Sequence, residues 1–81
     1  MIIYFYDLKF KNKKEFNRQK RKFYYNLKKL PIDKKNWFNR SVILIPDNKE
    51  NIFDEFFKTY KKTEKNLLVY KIFTTNIEEI E

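Results

Sequence analysis

Apolar positions along the chain fall into five runs with two different periods. The first, Ile2-Ile3-Tyr4-Phe5-Tyr6, is a continuous β-favouring stretch. It predicts a strand over residues 2–8 that is covered on both faces or central in a sheet. Asp7 falls at its carboxyl end. From Asn12 the period changes. Phe16, Phe23, Leu27 and Leu30 recur at spacings of seven, four and three, with Tyr24 beside them, and form one stripe of a helix. Asn12 as N-cap with Glu15 three residues later reads as a capping box. Arg18, Arg21, Lys22, Tyr25, Lys28 and Lys29 fall on the other side. Pro31 stops this helix, because the residue before a proline disfavours helical backbone.

Residues 31–38 form a polar connection with room for a short strand. Asn39 to Ile45 predict a second strand, with Val42-Ile43-Leu44-Ile45 as its buried part and Pro46 as its end. Asp47 with Glu50 repeats the N-cap signature. Ile52, Phe53, Phe56, Phe57 and Tyr60 then give the stripe of a second helix, with Lys61, Lys62 and Lys65 near its negative end. Leu67 to Phe73 predict the last strand. The acidic tail 74–81 carries Ile77 and Ile80 and is either a frayed end or an arm that docks on a partner. This order predicts a single α+β domain over residues 1–81. Its class is a ferredoxin-like (split βαβ) sandwich, an antiparallel sheet with two helices on one face.

With 81 residues, 20% of them aromatic, the chain has one modest core that a dimer would supplement, and its sheet is expected to leave unprotected edges. Glycine is absent, so turns needing positive φ are left to the nine Asn and a few Asp. Glycine-rich phosphate loops are excluded with it. The absence of cysteine and histidine excludes disulfides, thiolate zinc sites, cysteine nucleophiles and imidazole bases. Carboxylates, hydroxyls, Lys, Arg or a hard metal held by oxygen remain. The apolar N-terminal run lacks a basic flank and is too short for a signal peptide, and no run approaches the roughly 20 residues that span a bilayer. A cytoplasmic protein with no membrane partner is expected.

Charge sharpens the picture. The net charge is +8 and lies on one side of the sequence. Residues 1–40 hold thirteen Lys/Arg against Asp7, Glu15 and Asp33, a balance of +10, whereas residues 41–81 hold six Lys against eight acids, a balance of −2. A basic half is a footprint for a polyanion, here a nucleic acid, DNA or RNA, with a solvated lysine surface as the bland alternative. Arg18, Arg21, Lys22, Lys28, Lys29 and Arg40 are the candidate phosphate contacts, predicting salt-dependent and sequence-tolerant binding. Tyr25, and Trp37 and Phe38 before Arg40, could stack on bases or pack locally. Asp7 is the candidate catalytic and metal-binding residue. A carboxylate at a strand end could hold Mg²⁺ or Mn²⁺, and a symmetric dimer would present two copies. The bland alternative is that it caps the following turn.

Tyr6-Asp7-Leu8 closing the first strand, the Arg18/Arg21 helix, and Arg40-Ser41-Val42-Ile43 opening the next strand resemble the CRISPR-associated "Cas-two" family over nearly the whole chain. The chain departs from that pattern at Ile43, where an aromatic is common, and at Leu44-Ile45-Pro46, where an acidic residue is common. The resemblance implies a ferredoxin-like homodimer in antiviral defence that bridges integrase dimers and binds duplex DNA during spacer acquisition. It also implies, as in some members, Mg²⁺-dependent endonuclease activity through Asp7 and its symmetry mate. A toxin-like endoribonuclease of the same fold is an enzymatic alternative, and a protein-interaction module with an incidental basic surface a non-catalytic one.

Overall fold

The structure, a computed structural model, describes residues 1–9 and 13–80, with Lys13 described by its backbone alone. The chain forms β1 (Ile2–Leu8), α1 (Lys13–Leu27), β2 (Trp37–Asn39), β3 (Val42–Ile45), α2 (Glu50–Thr63) and β4 (Leu67–Phe73). The strands make one sheet in the order β2-β3-β1-β4, with every neighbouring pair antiparallel. β1 is central. It pairs along its whole length with β4, from Ile2↔Phe73 to Leu8↔Leu67, and from Ile2↔Ile45 to Phe5↔Val42 with β3. The architecture is thus α+β, a four-stranded antiparallel sheet with two helices, and is compatible with a ferredoxin-like fold.

Alternation along the strands assigns the two faces. Ile2, Tyr4 and Tyr6 of β1, Ile43 and Ile45 of β3 and Leu67 of β4 meet Phe23 and Leu27 of α1 and Phe53 and Phe57 of α2 in one buried cluster, so both helices lie on the same face. Tyr6 joins the layers, its ring 5.3 Å from that of Phe23 and 5.5 Å from that of Phe57. Each fully buried apolar side chain of this size stabilises the fold by about 1.5–3 kcal/mol. Polar groups tie α2 to the sheet. The Tyr4 hydroxyl donates to Asp54 Oδ1 at 2.7 Å, and Lys71 Nζ donates to Asp54 Oδ2 at 2.7 Å and to Glu50 Oε2 at 2.8 Å.

The opposite face carries Ile3 and Phe5 of β1, Val42 and Leu44 of β3, and Leu68, Tyr70 and Ile72 of β4. Leu68, Tyr70 and Ile72 are exposed, and the Phe5 and Tyr70 rings stack in the open at 5.2 Å. The continuous apolar run of β1 therefore marks a central strand covered by helices on one face, not on both.

Several boundaries depart from the expected ones. α1 ends at Leu27, short of Leu30. With no glycine to take a left-handed cap, the chain leaves the helix through successive tight bonds, Lys29 N–H to the Asn26 carbonyl and Leu30 N–H to the Leu27 carbonyl. Asn39 belongs to β2, Arg40-Ser41 is a turn, and β3 starts at Val42. Asp47 opens a short 3₁₀ turn ahead of α2 instead of capping it, and binds the N-terminal ammonium at 2.7 Å. No described residue has a positive φ, so the asparagines do not serve as left-handed substitutes for glycine. Their side chains act instead, Asn39 Oδ1 accepting from Ser41 N–H at 2.7 Å and Asn36 Oδ1 from Asp33 N–H at 3.1 Å. Phe16 is half-buried and lies outside the core cluster. Thr74 pairs with Met1, after which residues 75–80 hold no regular element and Ile80 is exposed. The expected N-cap, Asn12, lies outside the described residues. Among the described residues no helix is long and apolar enough to cross a membrane.

Candidate nucleic-acid interface

Asn17, Arg21 and Tyr24 of α1 and Lys28 just past its end, whose N–H still bonds the Tyr24 carbonyl, are spaced four, three and four and so share one flank of the helix. That flank borders the core stripe on one side and solvent on the other. Trp37 of β2 and Arg40 of the β2–β3 turn rise opposite it, and the space between is a cleft of about 760 Å³. Its lining brings together four cations, Lys20, Arg21, Lys28 and Arg40, with three rings, Tyr24, Tyr25 and Trp37, and includes no acidic residue.

Local structure holds both walls. The Tyr24 hydroxyl donates to the Arg40 carbonyl at 2.6 Å and fastens the turn to α1. Its ring lies 6.2 Å from that of Trp37. Tyr6 N–H donates to the Ser41 carbonyl at 3.0 Å and fastens the same turn to β1. Trp37 registers with Ile43 and faces the helices, whereas Phe38 falls at an irregularity of the ladder between Trp37 and Asn39 and is exposed. On α1, Arg21 Nε donates to the Asn17 carbonyl at 3.3 Å, and Lys29 Nζ sits 4.3 Å from the exposed Tyr25 ring, a cation–π pair at the rim. Burial pushes the Tyr24 hydroxyl above the ordinary tyrosine pKa, the Ser41 contact and the Arg40 charge partly offset this, and the Asp7 charge adds to it. The hydroxyl therefore stays protonated and able to donate.

The six cations named from the sequence divide. Arg21, Lys28 and Arg40 line the cleft. Lys29 flanks it through Tyr25. Arg18 and Lys22 are exposed on the back of the helix, Arg18 beside a shallow hollow of about 420 Å³ shared with Lys14, Glu15 and Arg21. Lys20 was not among them, because its position borders the apolar stripe; its Nζ lies 5.4 Å from the Phe16 ring and it reaches the cleft from there. Tyr24, read as a companion of the core stripe, is half-buried and lines the same cleft.

Asp7 lies inside β1, paired with Leu68, just past the point where β3 stops pairing with β1. It is exposed and lines a small hollow of about 80 Å³ whose wall includes Lys20, Tyr24, Arg40 and Ser41. The turn after the strand, which a capping role for Asp7 would involve, falls on residues 10–12, outside the described residues. Among the described residues no group of three or more Asp, Glu, His or Cys is positioned to hold a metal ion. A lone carboxylate among cations does not make the donor set that Mg²⁺ or Mn²⁺ requires. Comparison with protein-family models, with curated proteins and with solved structures found no match.

Proposed function

We propose that this chain is a non-membrane nucleic-acid-binding protein that works as a homodimer and grips duplex DNA by its phosphates. Four cations lining one cleft and a fifth, Lys29, at its rim, with no acid in the lining, carry this reading. Lysine and arginine so placed neutralise phosphates and read no bases, so binding is tolerant of sequence and steep in salt. In this reading the sheet is of the ferredoxin-like, split βαβ kind, and the resemblance to the CRISPR-associated "Cas-two" family supports a bridging role between integrase dimers in spacer acquisition within the cytoplasm.

The open sheet face supports the dimer. Phe5, Tyr70 and Ile72 are neighbours on a sheet surface that no helix covers, and exposed apolar patches of this kind mark interfaces. A second copy of the chain is the simplest occupant, because it buries the same patch twice.

Fluorescence anisotropy of labelled duplex DNA, titrated at several salt concentrations, tests the binding. Six or more phosphate contacts, shared between two protomers, predict a loss of about 10³-fold or more in affinity between about 50 and 200 mM salt. Affinity that does not change with salt, or no binding at low salt, contradicts the proposal.

A further inference from the structure

Phosphate binding explains the cations of the cleft; Tyr24 and Trp37 pack against the core with one edge in the cleft, and the exposed Tyr25 ring is left without a packing role. In a duplex each base is stacked on its neighbours and offers no free face, so a backbone-reading surface has no use for aromatic side chains in a concavity. Tyr25 is 65% exposed and stands at the rim, Trp37 is half-buried in the wall, and Tyr24 lies between them with its hydroxyl fixed. The cleft volume of about 760 Å³ falls within the range of about 300–1,000 Å³ typical of sites for small organic groups. Cations surround the rings. Lys20 on α1 and Lys28, one residue past its end, are eight residues apart, about 12 Å at about 1.5 Å per residue, and Arg40 stands on the other wall. This spread exceeds what one phosphate group needs and suits a backbone passing along the helix. Rings that accept a base beside cations that track a backbone are the combination that binds single strands.

We propose that the cleft between α1 and the β2–β3 turn takes unpaired nucleotides, a single strand or the single-stranded end of a duplex, with a base stacked on Tyr25 or Trp37 and the adjoining phosphates on Lys20, Arg21, Lys28 and Arg40. The inference rests on the nucleic-acid reading above and narrows it to a preferred form of the ligand.

The chain provides its own reporter, because Trp37 is its sole tryptophan. Intrinsic fluorescence is followed while the 81-residue chain is titrated with a single-stranded oligothymidylate, with a mixed-sequence duplex of the same length, and with thymidine monophosphate. The expected result is saturable quenching by the single strand at lower concentration than by the duplex, with thymidine monophosphate much weaker. Tyr25→Ala, at an exposed position that packs nothing in the core, is expected to weaken single-strand binding by about fivefold to a hundredfold and duplex binding by a smaller factor. Arg40→Ala is a second variant outside the core, expected to weaken single-strand binding more as salt is lowered. Duplex binding with no quenching by the single strand overturns this inference alone. Equal affinity for the mononucleotide overturns the strand in favour of a nucleotide pocket. No binding of either polymer overturns the nucleic-acid reading as well.

Discussion

Tyr6 shows how much one hydroxyl can be made to bear. Its ring is central to the core, yet its hydroxyl is buried with no hydrogen-bond partner among the described residues. Burial, with a smaller contribution from Tyr24, pushes its pKa far up, so it remains a neutral and unpaired donor at any ordinary pH. Such a group costs about 1–3 kcal/mol. Tyr6→Phe is therefore expected to leave stability unchanged or to raise it, and a thermal melt reads the difference. Tyr4, two residues earlier, is the contrasting case. Its hydroxyl is paired with the Asp54 carboxylate, and Tyr4→Phe is expected to cost about 1.5–3 kcal/mol. Burial pushes the Asp54 carboxyl up, but hydrogen bonds from Lys71 and Tyr4 and the charges of Lys71 and Lys58 outweigh it, and the carboxyl ends below its ordinary 3.8. Lys71 is raised above its ordinary 10.5 by its bonds to Asp54 and Glu50. A depressed carboxylate stabilises the fold above its unfolded pKa and loses that contribution as pH falls through the folded one. A raised lysine stabilises below its unfolded pKa and loses the contribution as pH rises through the folded one. The network is thus fully in force between about pH 5 and 9. Melts of the wild type and Asp54→Asn are expected to differ most in that window and to converge below it.

At the scale of elements, periodicity located most of the fold. β1 and β4 lie where their apolar runs placed them, although the helix-facing side of β4 carries Lys71, bonded to Glu50 and Asp54 of α2. The hairpin was less legible. Asn39 to Ile45 reads as one strand in pattern, but the Asn39 side chain accepts from Ser41 N–H and folds the chain at Arg40-Ser41. Pattern counts apolar positions and cannot weigh a side chain that competes for the backbone. The same limit hid the cleft. The cations of α1 were legible by type and by side of the helix, but which of them share a cavity depends on where Trp37 and Arg40 arrive, and that is set by the β2–β3 turn fastening to Tyr24 and Tyr6. The open sheet face was equally hidden, since an alternating and a continuous run both fit a central strand. It carries its own prediction. Ile72 is exposed, so Ile72→Asp spares the core of the protomer but puts a charge in the apolar face. The wild type is expected at twice the chain mass by light scattering at micromolar concentration, and Ile72→Asp at the chain mass with an unchanged circular-dichroism spectrum. A wild-type monomer would exclude this face as a stable dimer contact.

Over the whole molecule, the division of labour follows the division of charge. The +10 half supplies α1 and the β2–β3 turn, and with them the cleft, while the −2 half supplies α2 and β4 with the network of Glu50, Asp54 and Lys71 that joins them. One face of the sheet is filled by two helices and the other is left apolar and open. The account therefore places nucleic acid at the helix–turn cleft and a second protomer on the far side of the sheet, so that each could be lost without the other. The direct test compares the salt dependence of single-strand and duplex binding for three proteins: the wild type, the cleft variant Lys20→Ala/Arg21→Ala/Lys28→Ala, and the back-of-helix variant Arg18→Ala/Lys22→Ala. Each lost phosphate contact flattens the logarithmic slope by about 0.9 for a duplex and about 0.7 for a single strand. The account predicts a single-strand slope flatter by about 2 in the folded cleft variant and unchanged in the back-of-helix variant. A folded cleft variant that keeps the wild-type slope would contradict it.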